Sequence, residues 1–359
     1  MPIIQRIDGH NMKSLKIDLL CLDGSPLGVS LSTIWGNKYQ VGVGGAELAL
    51  LTMCEIWHNS GHKVTLYNNP IEIGMSPFDQ QHVSEFHPEA NRDILIVFRS
   101  PNKLAIDAKG YKIWWSCDQQ TVGKFGEFAP HMDKIVCISP YHAKFFADKY
   151  QIRDVTVIDL PVRADDYADM KVDKIPNRLI FTSIADRGLM GLCDVWDKMK
   201  SQIPDLSVVI TSDYRLWGRH NLPTNEKHRA KWMSKQGVTF LGAVPRKKLI
   251  EIELQGQIFA YPCTYPELFC ISVAEAQFAG TVPITSQVGA LWTTNMGITM
   301  PGNPQDAHFL EKFSDEIISL LKDKDRLQVM QRNVWENAYT RFHPHQIEVQ
   351  WNKLFMEAI

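Results

Sequence analysis

The sequence predicts an α/β protein built from two doubly wound parallel sheets. Short apolar runs alternate with helical patterns in both halves of the 359-residue chain, and they are too numerous for one sheet. This alternation is typical of parallel strands joined by crossover helices. A charged stretch bracketed by prolines, Pro161 to Pro176, separates the halves. We therefore predict a first domain over residues 1–165, a second over 166–342, and a final helix over 343–359 that packs back on the first.

In the first half, five apolar runs are predicted strands and one periodic run is a predicted helix, Glu47 to Asn59. The strands are Ile17 to Leu22, Lys63 to Tyr67, Ile94 to Phe98, Lys112 to Trp115 and Lys134 to Ile138. Trp114 and Trp115 are expected in the core rather than at a sugar-binding surface.

The second half repeats the pattern, with a predicted helix from Met190 to Ser201. Its predicted strands are Leu179 to Thr182, Ser207 to Thr211, Val238 to Leu241, Ile258 to Tyr261 and Val282 to Thr285. The final segment carries apolar residues at helical spacing, which indicates an amphipathic helix. These residues are Ile347, Trp351, Leu354 and Phe355. Asp165 and Asp166, in the stretch between the halves, are expected to be solvated.

The amino-acid composition narrows the classes of function that the protein can have. Hydrophobic residues make up 45% and charged residues 22%, as in ordinary globular proteins, and the net charge of −2 gives no reason to expect stable nucleic-acid binding. The seven cysteines form no CxxC pair and the twelve histidines no HExxH pattern. We therefore expect reduced thiols, a cytoplasmic location and no bound metal. No signal peptide or membrane-length apolar run is evident, so at most peripheral membrane contact is expected.

Three motifs indicate chemistry. The first is a glycine-rich turn from Gly42 to Gly45 that precedes a helix. Glycines there let a ligand approach the backbone, and a helix start offers free amide donors. Glu47 stands where a GxGxxG motif has its last glycine, which disfavours a dehydrogenase-type dinucleotide site. The alternative is a plain strand-to-helix turn.

The second motif places Arg187 between a predicted strand and helix, where open α/β sheets bind ligands. An arginine there suits a phosphate, and the alternative is a solvated loop residue. The third runs from Tyr261 to Gly280 and holds Glu267 in a loop and Glu275 on an apolar helix. Two carboxylates at such a junction can each take a pair of sugar hydroxyls, and an acid on so apolar a helix needs a partner.

The segment ELFCISVAE resembles the Glu-x7-Glu signature of glycosyltransferase family 4, the retaining nucleotide-sugar transferases. GGAE, SGHKVTLY, the DRG segment around Arg187, and VTFLGAVPRKKL resemble other parts of that family. The resemblance implies a GT-B fold, in which two Rossmann-like domains face a central cleft. It also implies transfer of a hexose-like sugar from a nucleoside-diphosphate sugar, UDP- or GDP-linked, without a further cofactor.

By this resemblance Glu275 would hold the ribose and Glu267 the transferred sugar. Arg187 would neutralise the leaving diphosphate, and Gly44 and Gly45 would lie beside the phosphates. The amides of Phe269, Cys270 and Ile271, near the helix start, can also face the diphosphate.

Two positions depart from the family pattern. The family usually has two cations on the diphosphate, and the first falls near Ser183 here. Arg215, Arg246 and Lys247 are candidate substitutes. A histidine that often faces the reacting sugar is replaced around Cys117, and the neighbouring Asp118 is our candidate catalytic carboxylate there. The acceptor is left open among a glycan, a lipid-linked group, a protein and a nucleic-acid base. A sugar-nucleotide epimerase, a phosphorylase and a catalytically silent binding protein stay open as alternatives.

Overall fold

The structure is a computed structural model that describes residues 13–21, 30–31, 34, 42–70, 76–119, 123–168, 170–214 and 223–358. The strands, helices and contacts are those of these residues. Arg215, one of the candidate cations, lies outside them.

The first half forms a sheet of seven parallel strands in the order β3-β2-β1-β4-β5-β6-β7. The strands are β1 Lys16–Leu20, β2 Lys63–Asn68, β3 Asp79–His82, β4 Ile94–Phe98, β5 Tyr111–Trp115, β6 Lys134–Cys137 and β7 Thr156–Val157. Each of the five predicted strands is present, with each end within two residues of the prediction. The polar edge strand β3 and the two-residue strand β7 were not predicted.

The second half forms a sheet of six parallel strands in the order β10-β9-β8-β11-β12-β13. The strands are β8 Arg178–Phe181, β9 Ser207–Ile210, β10 Val238–Phe240, β11 Ile258–Tyr261, β12 Val282–Ser286 and β13 Ile298–Met300. Both sheets reverse their order beside the first strand of the half, β1 and β8. Ligands bind at this point in doubly wound folds, outside the carboxyl ends of the strands.

Helices cover the sheets. In the first half and the connecting segment they are α1 Gly45–Asn59, α2 Phe125–Phe128, α3 Pro140–Tyr150 and α4 Asp165–Ala168. In the second half they are α5 Leu189–Asp194, α6 Trp196–Gln202, α7 Pro223–Met233, α8 Arg246–Gln255, α9 Ile271–Phe278, α10 Leu291–Thr294, α11 Ala307–Lys322, α12 Lys324–Phe342 and α13 Pro344–Phe355.

The single helix predicted from Met190 to Ser201 is wrong, because the chain forms α5 and α6 instead. At Val195 the ψ angle is 1°, which interrupts the helix. The next residue, Trp196, is buried and packs against Trp232 with ring centroids 5.8 Å apart.

The C-terminal helix α13 packs on the first sheet and on α1. The ring of Trp351 lies 5.3 Å from that of Trp57 on α1 and 5.2 Å from that of Trp115 on β5. Phe355 lies 5.5 Å from Trp57. All four aromatic residues are buried, and aromatic pairs of this kind add about 0.5–1.5 kcal/mol each beyond the area they bury. Trp114 and Trp115 are core residues, as predicted.

The segment between the sheets is not a solvated linker, and the expectation for Asp166 is wrong. Asp165 is exposed, but the Asp166 side chain is only 2% exposed. Its carboxylate lies between two arginines, Arg163 and Arg246, which supply the countercharge that burial of an acid requires. The last strand of the first sheet ends at Val157 and the first of the second begins at Arg178, and a boundary at 165/166 stays a prediction.

Candidate active site

A cavity of about 550 Å³ lies between the two sheets, at the carboxyl ends of their strands. This volume is typical of a pocket for a small ligand. Residues from all three predicted motifs line it together, and Asp118 lines it as well. The motif residues are Gly42, Gly44, Gly45, Arg187, Glu267, Phe269, Cys270, Ile271 and Glu275. Their roles in binding or catalysis stay predictions, whereas their meeting in one cavity is a finding.

The glycine turn forms the first-domain wall of the cavity. Gly44 caps the start of α1, and Glu47 lies in the first turn of that helix. A Cβ atom on Gly45 would come within 2.4 Å of Cγ2 of Ile271, at the start of α9 in the second half. Gly45 therefore lets the two walls approach each other at the point where a helix start faces the cavity.

Arg187 ends a short 3-10 turn, Ala185–Arg187, that follows β8. The next residue, Gly188, has a φ of 111°, and a Cβ atom there would lie 2.2 Å from the carbonyl oxygen of Pro262. Only glycine fits this position, and it turns the chain directly after Arg187. Gly188 therefore fixes the path of the backbone at Arg187, and with it the position from which the arginine side chain extends.

The Glu267 carboxylate is held by two side chains of the second half. Arg187 Nη1 donates to its Oε1 over 2.8 Å, and the Tyr261 hydroxyl donates to the same oxygen over 2.6 Å. The Arg187 guanidinium also stacks on the Tyr265 ring, 4.4 Å from its centroid. Burial alone lowers the pKa of Arg187, but the charge of Glu267 more than offsets this and raises it. A cation and a carboxylate are therefore fixed side by side, the cation being partly exposed to the cavity.

The helix α9 starts at the back of the cavity. Cys270 precedes it with a φ of 73°, a left-handed conformation that is uncommon for a residue with a side chain. Phe269 turns its ring away from the cavity, into the core against Phe342, so its backbone is the part available to a ligand. Burial raises the pKa of Cys270 well above its ordinary value, which keeps the thiol protonated.

Glu275, the fifth residue of α9, is buried with a side chain only 4% exposed. Arg246, the first residue of α8, places Nη1 2.6 Å from Glu275 Oε1 and Nε 3.0 Å from Asp166 Oδ2. The partner that an acid on an apolar helix needs is thus Arg246. Burial raises the pKa of Glu275, and Arg246 acts against this by favouring the charged form.

Asp118 and Cys117 lie on the first-domain wall, after β5. The Asp118 carboxylate accepts a hydrogen bond from the Gln119 amide over 2.6 Å, and Gln119 Nε2 donates to the Pro266 carbonyl across the cleft over 2.7 Å. Burial raises the pKa of Cys117 to about 12, so its thiol is not ionised at neutral pH. The position therefore offers a carboxylate and a neutral thiol, not a thiolate nucleophile.

The candidates for a second cation differ in whether they line the cavity. Arg246 lines the cavity but is engaged by Glu275 and Asp166, whereas Lys247 is exposed and does not line it. Ser183 lines the cavity and shares a hydrogen bond with the Tyr261 hydroxyl. Sequence reasoning missed Arg99, which lines the cavity from the end of β4 with a φ of 65° and pairs with Glu47 over 2.5 Å. Its position directly after a buried strand was the available signal.

The described residues contain no group of three or more histidine, cysteine or acidic side chains arranged to hold a metal ion. None of their helices is long and apolar enough to cross a membrane.

Comparisons with solved structures place this fold. A glycosyltransferase from Rickettsia africae ESF-5 is 15% identical with a TM-score of 0.73, over 96% of this chain and 99% of that one. Sucrose-phosphate synthase from Thermosynechococcus elongatus is 16% identical with a TM-score of 0.69, over 96% and 99%. HepE of Anabaena, solved with UDP and glucose, is 14% identical with a TM-score of 0.65, over 96% and 100%.

The fold is therefore the GT-B fold of glycosyltransferases. Residues 182–339 match the family model described as Glycosyl transferases group 1. The matched range contains Arg187, Glu267 and Glu275, which carried the resemblance in the sequence. The comparison with curated protein sequences found no match.

Proposed function

We propose that the protein transfers a hexose-like sugar from a nucleoside-diphosphate sugar, UDP- or GDP-linked, to an acceptor, with retention of configuration and without a metal ion. One observation carries the proposal. A single cavity joins a buried carboxylate, a second carboxylate with its arginine, a helix start and a glycine turn. These groups match, in order, a ribose, a sugar, and the two sides of a diphosphate.

The chemistry requires stabilisation of the leaving diphosphate as negative charge develops on it. Arg187 supplies a cation and the start of α9 supplies amide dipoles, both beside the cavity. Together they take the electrostatic role that a divalent metal has in other transferases. We therefore expect turnover to persist in EDTA, and its loss with recovery on addition of magnesium or manganese would contradict the metal-independent part of the proposal.

The sugar would lie between Glu267 and the first-domain wall. Glu267 would accept hydrogen bonds from its hydroxyls while Arg187 and Tyr261 hold the carboxylate in place. Asp118 is the candidate carboxylate on the opposite wall, facing the reacting sugar. Retention is proposed to proceed by attack on the same face, with the donor phosphate accepting the proton of the acceptor hydroxyl. In this scheme the neutral thiol of Cys117 forms no bond.

The acceptor and the cellular setting are proposed at a coarser level. The acceptor side of the cleft is the wall built by the glycine turn and Asp118, and the acceptor class stays open. All seven cysteines are free thiols, and this supports a reducing, cytoplasmic setting.

A donor screen tests the proposal. We expect one class of nucleotide sugar to raise the unfolding temperature, since a ligand that binds only the folded state stabilises it. Glu275→Ala should abolish most of that shift for the free nucleotide, because the ribose hydroxyls lose their acceptor. Release of nucleoside diphosphate only when an acceptor is present would separate a transferase from an epimerase. A wild-type protein that binds no nucleotide or nucleotide sugar would refute the proposal.

A further inference from the structure

A series of buried charges runs from the first domain to Glu275. Glu55 on α1 pairs with Arg163 over 2.7 Å, and Arg163 Nε lies 3.3 Å from Asp166 Oδ1. The other oxygen of Asp166 pairs with Arg246, which pairs with Glu275. The side chains of Asp166, Arg246 and Glu275 are each at most 5% exposed. The segment between the two sheets is therefore joined electrostatically to a residue that lines the cavity.

Arg246 is the cation of this series that contacts Glu275. Its single guanidinium serves two carboxylates, Asp166 and Glu275, and a third acid, Glu253, lies nearby with its Oε2 bonded to the Tyr167 hydroxyl. Burial, with the charge of Glu275, raises the pKa of Glu253 to about 8, so this acid holds its proton at neutral pH. Arg246 is thus the countercharge that favours the ionised form of Glu275, since carboxylates that share a buried site cannot all ionise unaided.

Arg246 also fixes the direction of Glu275. A guanidinium is planar and presents its donors in a rigid fork, so an arginine held at Nε by one carboxylate directs its Nη atoms to one place. Asp166 holds Nε, and Nη1 meets Glu275. Asp166 itself does not line the cavity, whereas Arg246 and Glu275 do.

We propose that Asp166 and Arg246 are positioning residues for the nucleotide: Asp166 orients Arg246, and Arg246 holds Glu275 as the acceptor of both ribose hydroxyls. The inference rests on the proposed function, since it concerns the same donor site. It assigns a part in nucleotide recognition to a residue of the connecting segment that has no contact with the cavity.

Comparison of nucleotides with and without the ribose hydroxyls distinguishes a positioning role from a merely structural one. A structural role of Asp166 or Arg246 would not change the preference for the ribose form. We would titrate UDP and GDP, and their 2′,3′-dideoxy forms, into the full-length wild type and variants by calorimetry. We expect Arg246→Gln to weaken binding of the ribose nucleotide by at least about tenfold, the usual effect of losing one charge-assisted contact. Asp166→Asn should weaken it about three- to tenfold. Both variants should bind the dideoxy form within about twofold of wild type.

Lys248→Met is the matched control, because Lys248 lies on the same helix, pairs with Glu251 over 2.9 Å and is 47% exposed. It should leave both affinities unchanged. Asp166→Asn keeps the shape of the side chain, and it carries the test if Arg246→Gln does not fold. The double variant Asp166→Asn, Glu275→Gln should bind the ribose nucleotide with the same affinity as Glu275→Gln alone, because Asp166 is proposed to act through Glu275.

The outcomes separate the two hypotheses. A wild type that binds neither nucleotide refutes the proposed function and the inference with it. A wild type that prefers the ribose form, with Asp166→Asn and Arg246→Gln keeping that preference in full, overturns the inference alone. Equal loss of the ribose and dideoxy forms in Arg246→Gln also overturns it, because Arg246 would then act on another part of the nucleotide.

Discussion

Removal of the Arg187 guanidinium should slow turnover much more than it weakens donor binding. In the structure Nη1 lies 2.8 Å from Glu267, and the side chain is 23% exposed toward the cavity. Two unit charges about 4 Å apart attract by about 4 kcal/mol at the effective dielectric constant of about 20 found near protein surfaces. Glu267 already offsets part of that charge. We therefore expect Arg187→Ala to raise the barrier by about 2–3 kcal/mol, or to lower kcat about 30- to 150-fold.

The assay is steady-state release of nucleoside diphosphate, with the donor Kd measured separately. The interaction grows as the diphosphate leaves, so Kd should change by less than about fivefold while kcat carries the loss. Arg187→Lys should restore part of kcat, because lysine supplies the positive charge but not the planar set of N–H donors of a guanidinium. Arg178→Ala is the control, since Arg178 starts β8 at the opposite end of the strand and bonds to Ser207. A normal kcat in Arg187→Ala would refute the assignment of this cavity as the donor site.

Three further predictions test other parts of the site. Glu267→Ala should leave free nucleotide binding within about twofold but weaken the sugar nucleotide by about tenfold or more, measured by calorimetry; equal losses would contradict its assignment to the sugar. Gly45→Val should lower turnover about tenfold or more, because the valine side chain would collide with Ile271. Gly126→Ala should not lower it, because there is room for a methyl group at Gly126. Full activity in Gly45→Val would show that the two walls of the cavity need not meet. The Glu253 carboxyl holds a proton when folded up to about pH 8, whereas the unfolded chain loses it above its ordinary pKa of 4.5, so its contribution to stability falls as pH rises between these values. Glu253→Gln should remove that loss, and a difference in unfolding free energy from wild type that stays flat from pH 5 to 8 would contradict it.

The sequence predicts the strands whose signal lies in their own residues. Apolar runs such as Ile94–Phe98 and Ile258–Tyr261 are buried strands with the predicted bounds. The strand Asp79–His82 was missed because its residues are all polar and it pairs only along one edge, where no apolar pattern is required. The break at Val195 was missed because the apolar pattern runs through it.

The site was predictable where a motif lies directly after a strand, as with Arg187 and Glu267. Arg99 also lies directly after a strand, but no motif surrounds it, so its position alone was a weak signal. The burial of Asp166 was misjudged because burial of a charge depends on its partner, and its partner Arg246 is 80 residues away in the chain. Local composition alone makes a charged segment between prolines look solvated.

The buried charges also bear on what the connecting segment does. Such ion pairs are a weak source of stability, because apolar residues of the same volume often serve the fold as well or better. Removal of one member is destabilising, since it leaves the others uncompensated, so a set of this kind is not explained by stability alone. This set ends on Glu275, which lines the cavity, and begins on α1 of the first domain. A segment that served only as a hinge between the domains would need neither the contact with α1 nor the contact with Glu275. The placement is understandable if the same residues that join the domains also hold the carboxylate proposed to bind the donor ribose, so that domain position and nucleotide binding depend on one set of contacts.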